Sequence, residues 1–174
     1  MRVCKASLAV LLVLAWLTGG AALAIAGGEF APCSLLTKAE AAQAMGRPAQ
    51  AVVTQTHRNP LGQVRCFWDV PDDSQMRYVL VQVMCDSFMI PNLKKGGYSS
   101  AKLYADSKKL LDNPQDIPGL GQAAFWGGGG LRLGAGLHVL SGKCYFTVGV
   151  GTGDPKTSLA RAKDLAAKVI SRLP

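Results

Sequence analysis

The sequence MRYVLVQVMC at residues 76–85 has the clearest strand pattern in the chain. Side chains alternate between the two faces of a strand, so Cys85 shares a face with the three valines of this stretch. The stretch CYFTVGV at residues 144–150 repeats the arrangement, with Cys144 on the same face as a phenylalanine and two valines. Both faces are apolar, which predicts two core strands that each direct a cysteine inward.

Three helices are expected around these strands. The first, over about residues 38–45, is preceded by a capping-box pattern made of Thr37 and Glu40. The second, over about residues 99–111, follows a pair of serines that can cap it. The third begins at Asp154, with a proline at its first position and a continuous apolar stripe to the end of the chain.

Further strand patterns come in runs rather than singly between helices. The additional predicted strands cover residues 51–56, 64–70, 122–126, 131–133 and 137–140. Residues 86–98, which precede the second helix, are expected to be a loop. This order is typical of an α+β domain with a mainly antiparallel sheet of about five to six strands, backed by two to three helices.

The first 26 residues have the three parts of a secretory signal peptide. Arg2 and Lys5 form a positive start, an unbroken apolar run covers residues 8–17, and two small-x-small sequences precede Gly27. The alternative is an uncleaved anchor, since the apolar run extended to Ala26 nearly reaches the length of a membrane-spanning helix. We therefore expect residues 1–26 to be removed and residues 27–174 to form one secreted or periplasmic domain with no transmembrane span.

Loss of the leader lowers the net charge from +8 to +6, because Arg2 and Lys5 leave with it. A dispersed positive charge permits contact with an envelope protein or with an anionic envelope polymer. It does not indicate nucleic-acid binding, because the cations form no arginine-rich stripe and the chain is expected to be exported.

Four cysteines remain after removal of the leader: Cys33, Cys66, Cys85 and Cys144. An even number in an exported chain predicts a disulfide framework, and four cysteines allow three pairings. The strand pattern favours Cys33–Cys66 and Cys85–Cys144. A redox or haem-attachment motif is not expected, because the chain contains no Cys-x-x-Cys sequence.

No catalytic, metal or cofactor motif is supported by the sequence. The glycines at 127–130 lack the Lys-Ser/Thr ending of a phosphate loop and precede a strand pattern, so a hairpin loop is favoured. His57 and His138 are the two histidines, and neither has a second ligand at metal-binding spacing. A hydrolase remains an alternative in which either histidine would have to lie near a carboxylate in a cleft.

Four residues are candidates for binding. Trp126 stands beside the glycine-rich loop, where an aromatic side chain can mark a ligand site or plug the end of the core. Arg132 follows the same loop. Lys94 and Lys95 precede the second helix and belong to a group of lysines that can form a basic surface.

Several short motifs resemble a family of exported bacterial domains of unknown function, many of which are actinobacterial lipoproteins. The motifs are PCSLLT at 32–37, AMG at 44–46, Cys66 with Trp68, and PGLGQAA at 118–124 followed by Trp126. The resemblance covers about residues 32–173. It implies a Cys33–Cys66 bridge and a helix-backed, PsbP/Mog1-like sheet, and it implies no catalytic residues. Cys33 follows Phe-Ala-Pro rather than a lipobox, so a lipid anchor is not expected here.

These observations favour a non-enzymatic binding or accessory module of the cell envelope, without a cofactor. The alternatives are a secreted inhibitor that acts on another protein and, less favoured, a hydrolase with an unrecognised site. A protruding ordered loop at 86–98 or 127–130 would favour the inhibitor, whereas a closed pocket near Trp126 would favour the binding module.

Overall fold

The computed structural model describes residues 30–48, 59–70, 74–75, 77–128 and 135–174, together with the backbone of residues 51–55. The predicted leader, the predicted strand at 131–133, His57 and Arg132 lie outside these residues. Within the described chain, no helix has both the length and the apolar character needed to cross a membrane.

One sheet of seven antiparallel strands organises the described residues, in the order β1-β2-β3-β7-β6-β5-β4. The strands are β1 Ala51–Gln55, β2 Gln63–Asp69, β3 Tyr78–Cys85, β4 Gln115–Asp116, β5 Ala123–Gly127, β6 Gly136–Ser141 and β7 Cys144–Gly151. The predicted α+β class with an antiparallel sheet is confirmed. The two-residue strand β4 was not predicted, because so short a segment carries no periodicity.

Four α-helices accompany the sheet within the described residues: α1 Lys38–Met45, α2 Pro91–Lys95, α3 Ser100–Leu110 and α4 Pro155–Ile170. The predicted caps are confirmed at the three longer ones. Thr37 and Glu40 form both hydrogen bonds of the capping box, Ser99 accepts from the backbone of Lys102, and Asp154 accepts from the backbone of Thr157. These side chains satisfy backbone N–H groups that a helix start leaves without partners.

The segment at 86–98 is not the loop that the sequence predicted. It contains a 3-10 turn, Asp86–Phe88, and the short helix α2. The Asp86 carboxylate accepts a hydrogen bond of 2.6 Å from the backbone N–H of Ser100. The prediction failed because Pro91 and the two glycines at 96–97 frame a helix of one turn, and a proline is well tolerated at a helix start.

The main core lies on one face of the sheet. It is covered by α1 and α4, and the inward side chains of β2, β3 and β7 alternate along their strands as predicted. Trp68, Phe146 and Leu35 are among its largest fully buried side chains.

A smaller cluster lies on the opposite face, where α3 packs. It consists of Met84, Tyr104, Phe125 and Tyr145. Helices therefore cover both faces of the sheet, and α3 covers only part of the second face.

Both predicted disulfides are confirmed. Cys33–Cys66 joins the segment before α1 to β2, with the two Cα atoms 5.1 Å apart. Cys85–Cys144 joins β3 to β7, whose cysteines lie directly opposite each other in the strand register.

Candidate binding site

A row of polar side chains crosses the second face of the sheet. Arg65 on β2 pairs with Gln82 on β3, Gln82 pairs with Thr147 on β7, and Thr147 pairs with His138 on β6. Alternation places all four side chains on the face that carries Met84 and Tyr145. Each is partly exposed. We call these four residues the polar row.

Apolar side chains border the polar row on both sides. On one side lies the smaller cluster beneath α3. Its Met84 and Tyr145 stand two positions away from the polar row along β3 and β7, on the same face. On the other side, Phe67 and Tyr78 stack with ring centroids 5.7 Å apart, and Leu80 is buried beside them. The polar row therefore occupies a strip between the edge of α3 and an aromatic ridge formed by Phe67 and Tyr78.

Two glycines shape this strip. Gly149 on β7 lies under Tyr78, since a Cβ there would stand 3.4 Å from the tyrosine ring. A Cβ at Gly136 on β6 would stand 2.9 Å from the methyl group of Thr147 and 3.7 Å from Nε2 of His138. A side chain at Gly136 would therefore have to displace the Thr147 methyl group, whereas a Cβ at Gly149 would stand in ordinary contact with Tyr78.

His138 is held by hydrogen bonds and by aromatic stacking. Its Nδ1 lies 2.6 Å from the Tyr145 hydroxyl and 3.3 Å from Oγ1 of Thr147, and its ring stacks on Phe125 at 4.5 Å. Burial lowers the pKa of His138 to about 4, so the imidazole is neutral near pH 7.

The tautomer of His138 follows from the neighbouring hydroxyl groups. Burial raises the pKa of Tyr145, so its phenol keeps its proton near pH 7. The phenol proton is then available for Nδ1, so we assign the ring proton of His138 to Nε2.

His138 does not form an acid–base pair in the part of the chain that the structure describes. None of its hydrogen-bonding or stacking partners is a carboxylate. The described residues also contain no cluster of three or more potential metal ligands. The surroundings of His138 therefore do not support the hydrolase alternative.

Arg65 and Gln82 have hydrogen-bonding groups that other side chains do not use. Neither residue makes a side-chain hydrogen bond or an ion pair within the described ranges. Arg65 also lies beside Phe67, whose ring is partly exposed. The guanidinium of Arg65 is thus a half-exposed cation on a sheet face, with its planar donor array available to a ligand.

A second candidate surface is formed by α2 and its flanks. Lys94 and Lys95 occupy the last turn of α2 and are exposed, and neither forms an ion pair with a described residue. Ile90 and Tyr98, on either side of them, are 43% and 39% exposed. We call these four residues the lysine surface.

Two lysines of α3 differ from this pair because carboxylates neutralise them. Lys102 pairs with Asp106 at 2.9 Å, and Lys108 pairs with Asp116. Lys94 and Lys95 are therefore stronger candidates than these two for contact with an external anion.

Trp126 does not belong to either surface. It is partly buried and packs against the main core, on the face opposite the polar row. Its position fits the alternative in which the ring plugs the end of the core. Arg132, the other candidate near the glycine-rich loop, lies outside the described residues.

Sequence reasoning did not identify Arg65, Gln82 or Thr147 as site residues. A signal was present, since each is a polar residue inside an apolar strand pattern. The pattern alone places each on the face away from the valines, but it does not reveal which strands are neighbours.

Comparison with known proteins yields no match: no family model, no curated protein and no solved structure is similar to this chain. The resemblance to exported bacterial domains and the PsbP/Mog1-like arrangement therefore stay predictions.

Proposed function

We propose that this protein is a non-enzymatic binding module of the cell envelope that contacts a negatively charged partner. The lysine surface carries the proposal. It combines two exposed lysines that lack carboxylate partners among the described residues with two exposed large apolar side chains.

The charge of this surface supports an anionic partner. Each lysine close to an anionic surface contributes about 1 kcal/mol of attraction, and the contribution falls as salt screens it. Ile90 and Tyr98 add apolar contact area beside the cations. Exposed apolar groups next to unpaired cations favour a surface that offers both anionic and apolar groups, such as a membrane face or a lipid-linked polymer.

Export is part of the same proposal. The signal-peptide pattern of residues 1–26 supports it, and two disulfides are typical of proteins that mature in an oxidising compartment. An exported basic module would meet the anionic lipids and polymers of the envelope directly.

The test uses sedimentation with vesicles of phosphatidylglycerol and phosphatidylcholine, and with a poly(glycerol phosphate) chain coupled to beads. We expect binding to at least one of these probes, a loss of binding at 0.5 M salt, and no binding to pure phosphatidylcholine. The double variant Lys94→Glu/Lys95→Glu should weaken binding about tenfold or more, since it replaces two attractions with two repulsions.

A matched control changes the same net charge elsewhere. Lys38→Glu/Lys156→Glu alters the first turns of α1 and α4, where acidic residues are well tolerated. It should bind as the unmodified protein does. Equal weakening by both double variants, or no binding to either anionic probe, would contradict the proposal.

A second candidate function is interaction with another protein, as a secreted inhibitor. The observation that favours it is the ordered segment at 86–98, which presents Ile90 and Tyr98. In that case Ile90→Ala/Tyr98→Ala should abolish binding to the partner protein at high salt, whereas Lys94→Glu/Lys95→Glu should reduce this binding only slightly.

A further inference from the structure

We propose that the polar row is a second binding site, and that its ligand is an extended acidic saccharide chain lying across the strands. This site does not depend on the lysine surface. Its residues come from four neighbouring strands, β2, β3, β7 and β6, and lie at one level of the sheet.

The dimensions suit a chain of a few sugar units. Neighbouring strands lie about 4.8 Å apart, so the polar row spans roughly 14 Å from Arg65 to His138. Along this length lie the guanidinium of Arg65, the amide of Gln82, the hydroxyl of Thr147 and the partly exposed imidazole of His138. The groups follow one another at nearly equal steps, which a ligand with regularly repeated polar groups can match.

The borders of the row favour a sugar over other polar ligands. A pyranose ring has hydroxyl groups around its edge and C–H groups on its faces. The polar row can hydrogen-bond the edge, while the partly exposed ring of Phe67, stacked on Tyr78, offers an apolar wall for a C–H face. A binding site with a few placed polar groups between apolar walls is the usual form of a small-ligand site.

An extended peptide fits this site poorly. Peptides that bind to sheets add as a strand at an edge, where backbone N–H and C=O groups lack partners. The polar row lies on the face of strands whose backbones are already paired with both neighbours, because β2, β3, β7 and β6 are interior strands. Recognition here must come from side chains.

The charge of the row selects an acidic sugar. Arg65 is the row's cation, and no described member of the row is acidic. A guanidinium binds a carboxylate through two parallel N–H···O hydrogen bonds, which gives both strength and orientation. His138, with its lowered pKa, adds a neutral donor rather than a second charge. A uronic-acid unit at the Arg65 end, followed by hydroxyl-bearing units toward His138, satisfies these groups.

Calorimetric titration of the purified protein with three probes tests the inference. Trigalacturonate supplies sugar rings with carboxylates, maltotriose supplies neutral rings, and tricarballylate supplies carboxylates without a sugar. We expect trigalacturonate to bind, with maltotriose and tricarballylate each at least about tenfold weaker, the ratio expected for loss of a charge-assisted hydrogen-bond pair or of the ring contacts.

Two substitutions separate the contacts. Arg65→Gln should weaken trigalacturonate about tenfold or more and leave maltotriose unchanged. Phe67→Leu should weaken both sugars and leave tricarballylate unchanged. Arg47→Gln is the matched control, since Arg47 is exposed beyond the end of α1, and it should bind all probes as the unmodified protein does. Circular dichroism confirms that each variant is folded.

Three results would overturn the inference: no heat with trigalacturonate, equal affinity for tricarballylate, or unchanged affinity in Arg65→Gln. The outcome is independent of the proposed function. Lys94→Glu/Lys95→Glu should leave trigalacturonate binding intact, and Arg65→Gln should leave sedimentation with anionic vesicles intact.

Discussion

His138 shows how the surroundings of one residue set its chemistry. A histidine in water has a pKa near 6.5, whereas burial lowers the pKa of His138 to about 4. The ring keeps a hydrogen bond to Tyr145 and a stacking contact with Phe125, both of which it can make in the neutral state. It serves as a packed, neutral hydrogen-bonding group whose Nδ1 side faces Tyr145 and Thr147.

The pKa of His138 predicts a pH-dependent stability. His138 binds a proton near pH 6.5 in the unfolded chain and only near pH 4 in the folded protein. Its contribution to the free energy of unfolding is therefore fully present above pH 6.5 and is lost as the pH falls toward 4. The loss attributable to His138 should reach about 3 kcal/mol in the free energy of unfolding. Urea unfolding between pH 7 and 4 measures it.

The variant His138→Gln is the control for this prediction, because acidic residues also titrate in the same range. Glutamine keeps a hydrogen-bonding side chain and does not titrate. The stability advantage of the unmodified protein over His138→Gln should shrink by about 3 kcal/mol between pH 7 and 4. A constant difference across this range would show that His138 is protonated without penalty.

At the scale of elements, one carboxylate fastens α1 to α4. Glu40 on α1 accepts two hydrogen bonds from the Arg172 guanidinium just beyond α4, at 2.7 and 2.9 Å, and lies 3.2 Å from Nζ of Lys168. Its side chain is only 16% exposed. These cations, Arg172 foremost, hold the pKa of Glu40 well below its usual range.

Glu40→Gln should therefore destabilise the protein by about 1 kcal/mol, because bidentate pairs with low exposure contribute more than ordinary surface pairs. Glutamine preserves the capping box, in which the Glu40 side chain accepts from the backbone of Thr37. The effect should decline below pH 4.5, because the carboxylate of the unfolded chain is then protonated and that of the folded protein follows at lower pH. Thermal unfolding at two pH values checks this.

Asp106→Asn provides the comparison at the same scale. It removes the exposed i,i+4 pair between Lys102 and Asp106, which should cost less than Glu40→Gln because both side chains are open to solvent. If Glu40→Gln costs no more than Asp106→Asn, the contact between α1 and α4 rests on apolar packing and on the hydrogen bond from Arg161 to the Gln43 carbonyl, not on Glu40.

At the scale of the whole molecule, two antiparallel meanders meet at one seam. Strands β1–β3 form one half and β4–β7 the other, and they join where β3 pairs with β7. The chain between the halves passes through α2 and α3 before it reaches the far edge at β4. Cys85–Cys144 closes the end of this seam, with a sequence separation of 59 between the two cysteines.

Removal of this bridge should lower stability without changing the sheet. Cys85→Ala/Cys144→Ala should cost about 2–4 kcal/mol, since the bridge limits the freedom of the unfolded chain. For a domain of this size the melting temperature should fall by roughly 10 °C. Calorimetry measures the shift, and a circular dichroism spectrum should remain that of the unmodified protein.

Cys33→Ala/Cys66→Ala is the matched comparison, because its shorter separation of 33 residues predicts a slightly smaller loss. Reduction with dithiothreitol should affect each double variant less than the unmodified protein. An unchanged melting temperature after complete reduction would contradict a stabilising role for either bridge.

The local features of this protein can be predicted from short stretches of its sequence. Alternation along residues 78–85 and 144–150 placed Cys85 and Cys144 on the core face, and the caps at Thr37 and Asp154 fixed where α1 and α4 begin. These features follow from periodicity and from backbone groups a few residues apart, which is why they can be read from the chain.

The pairing of β3 with β7 belongs to the tertiary structure, because no local pattern indicates it. Arg65, Gln82, His138 and Thr147 are far apart in sequence, and the pairing of β3 with β7 makes them neighbours. The same pairing leaves α3 to cover only part of the second face. In the sequence, each of these residues is a single polar residue within an apolar strand pattern. Strand pairing depends on long-range packing rather than on local preference, so the sequence alone could not predict the polar row.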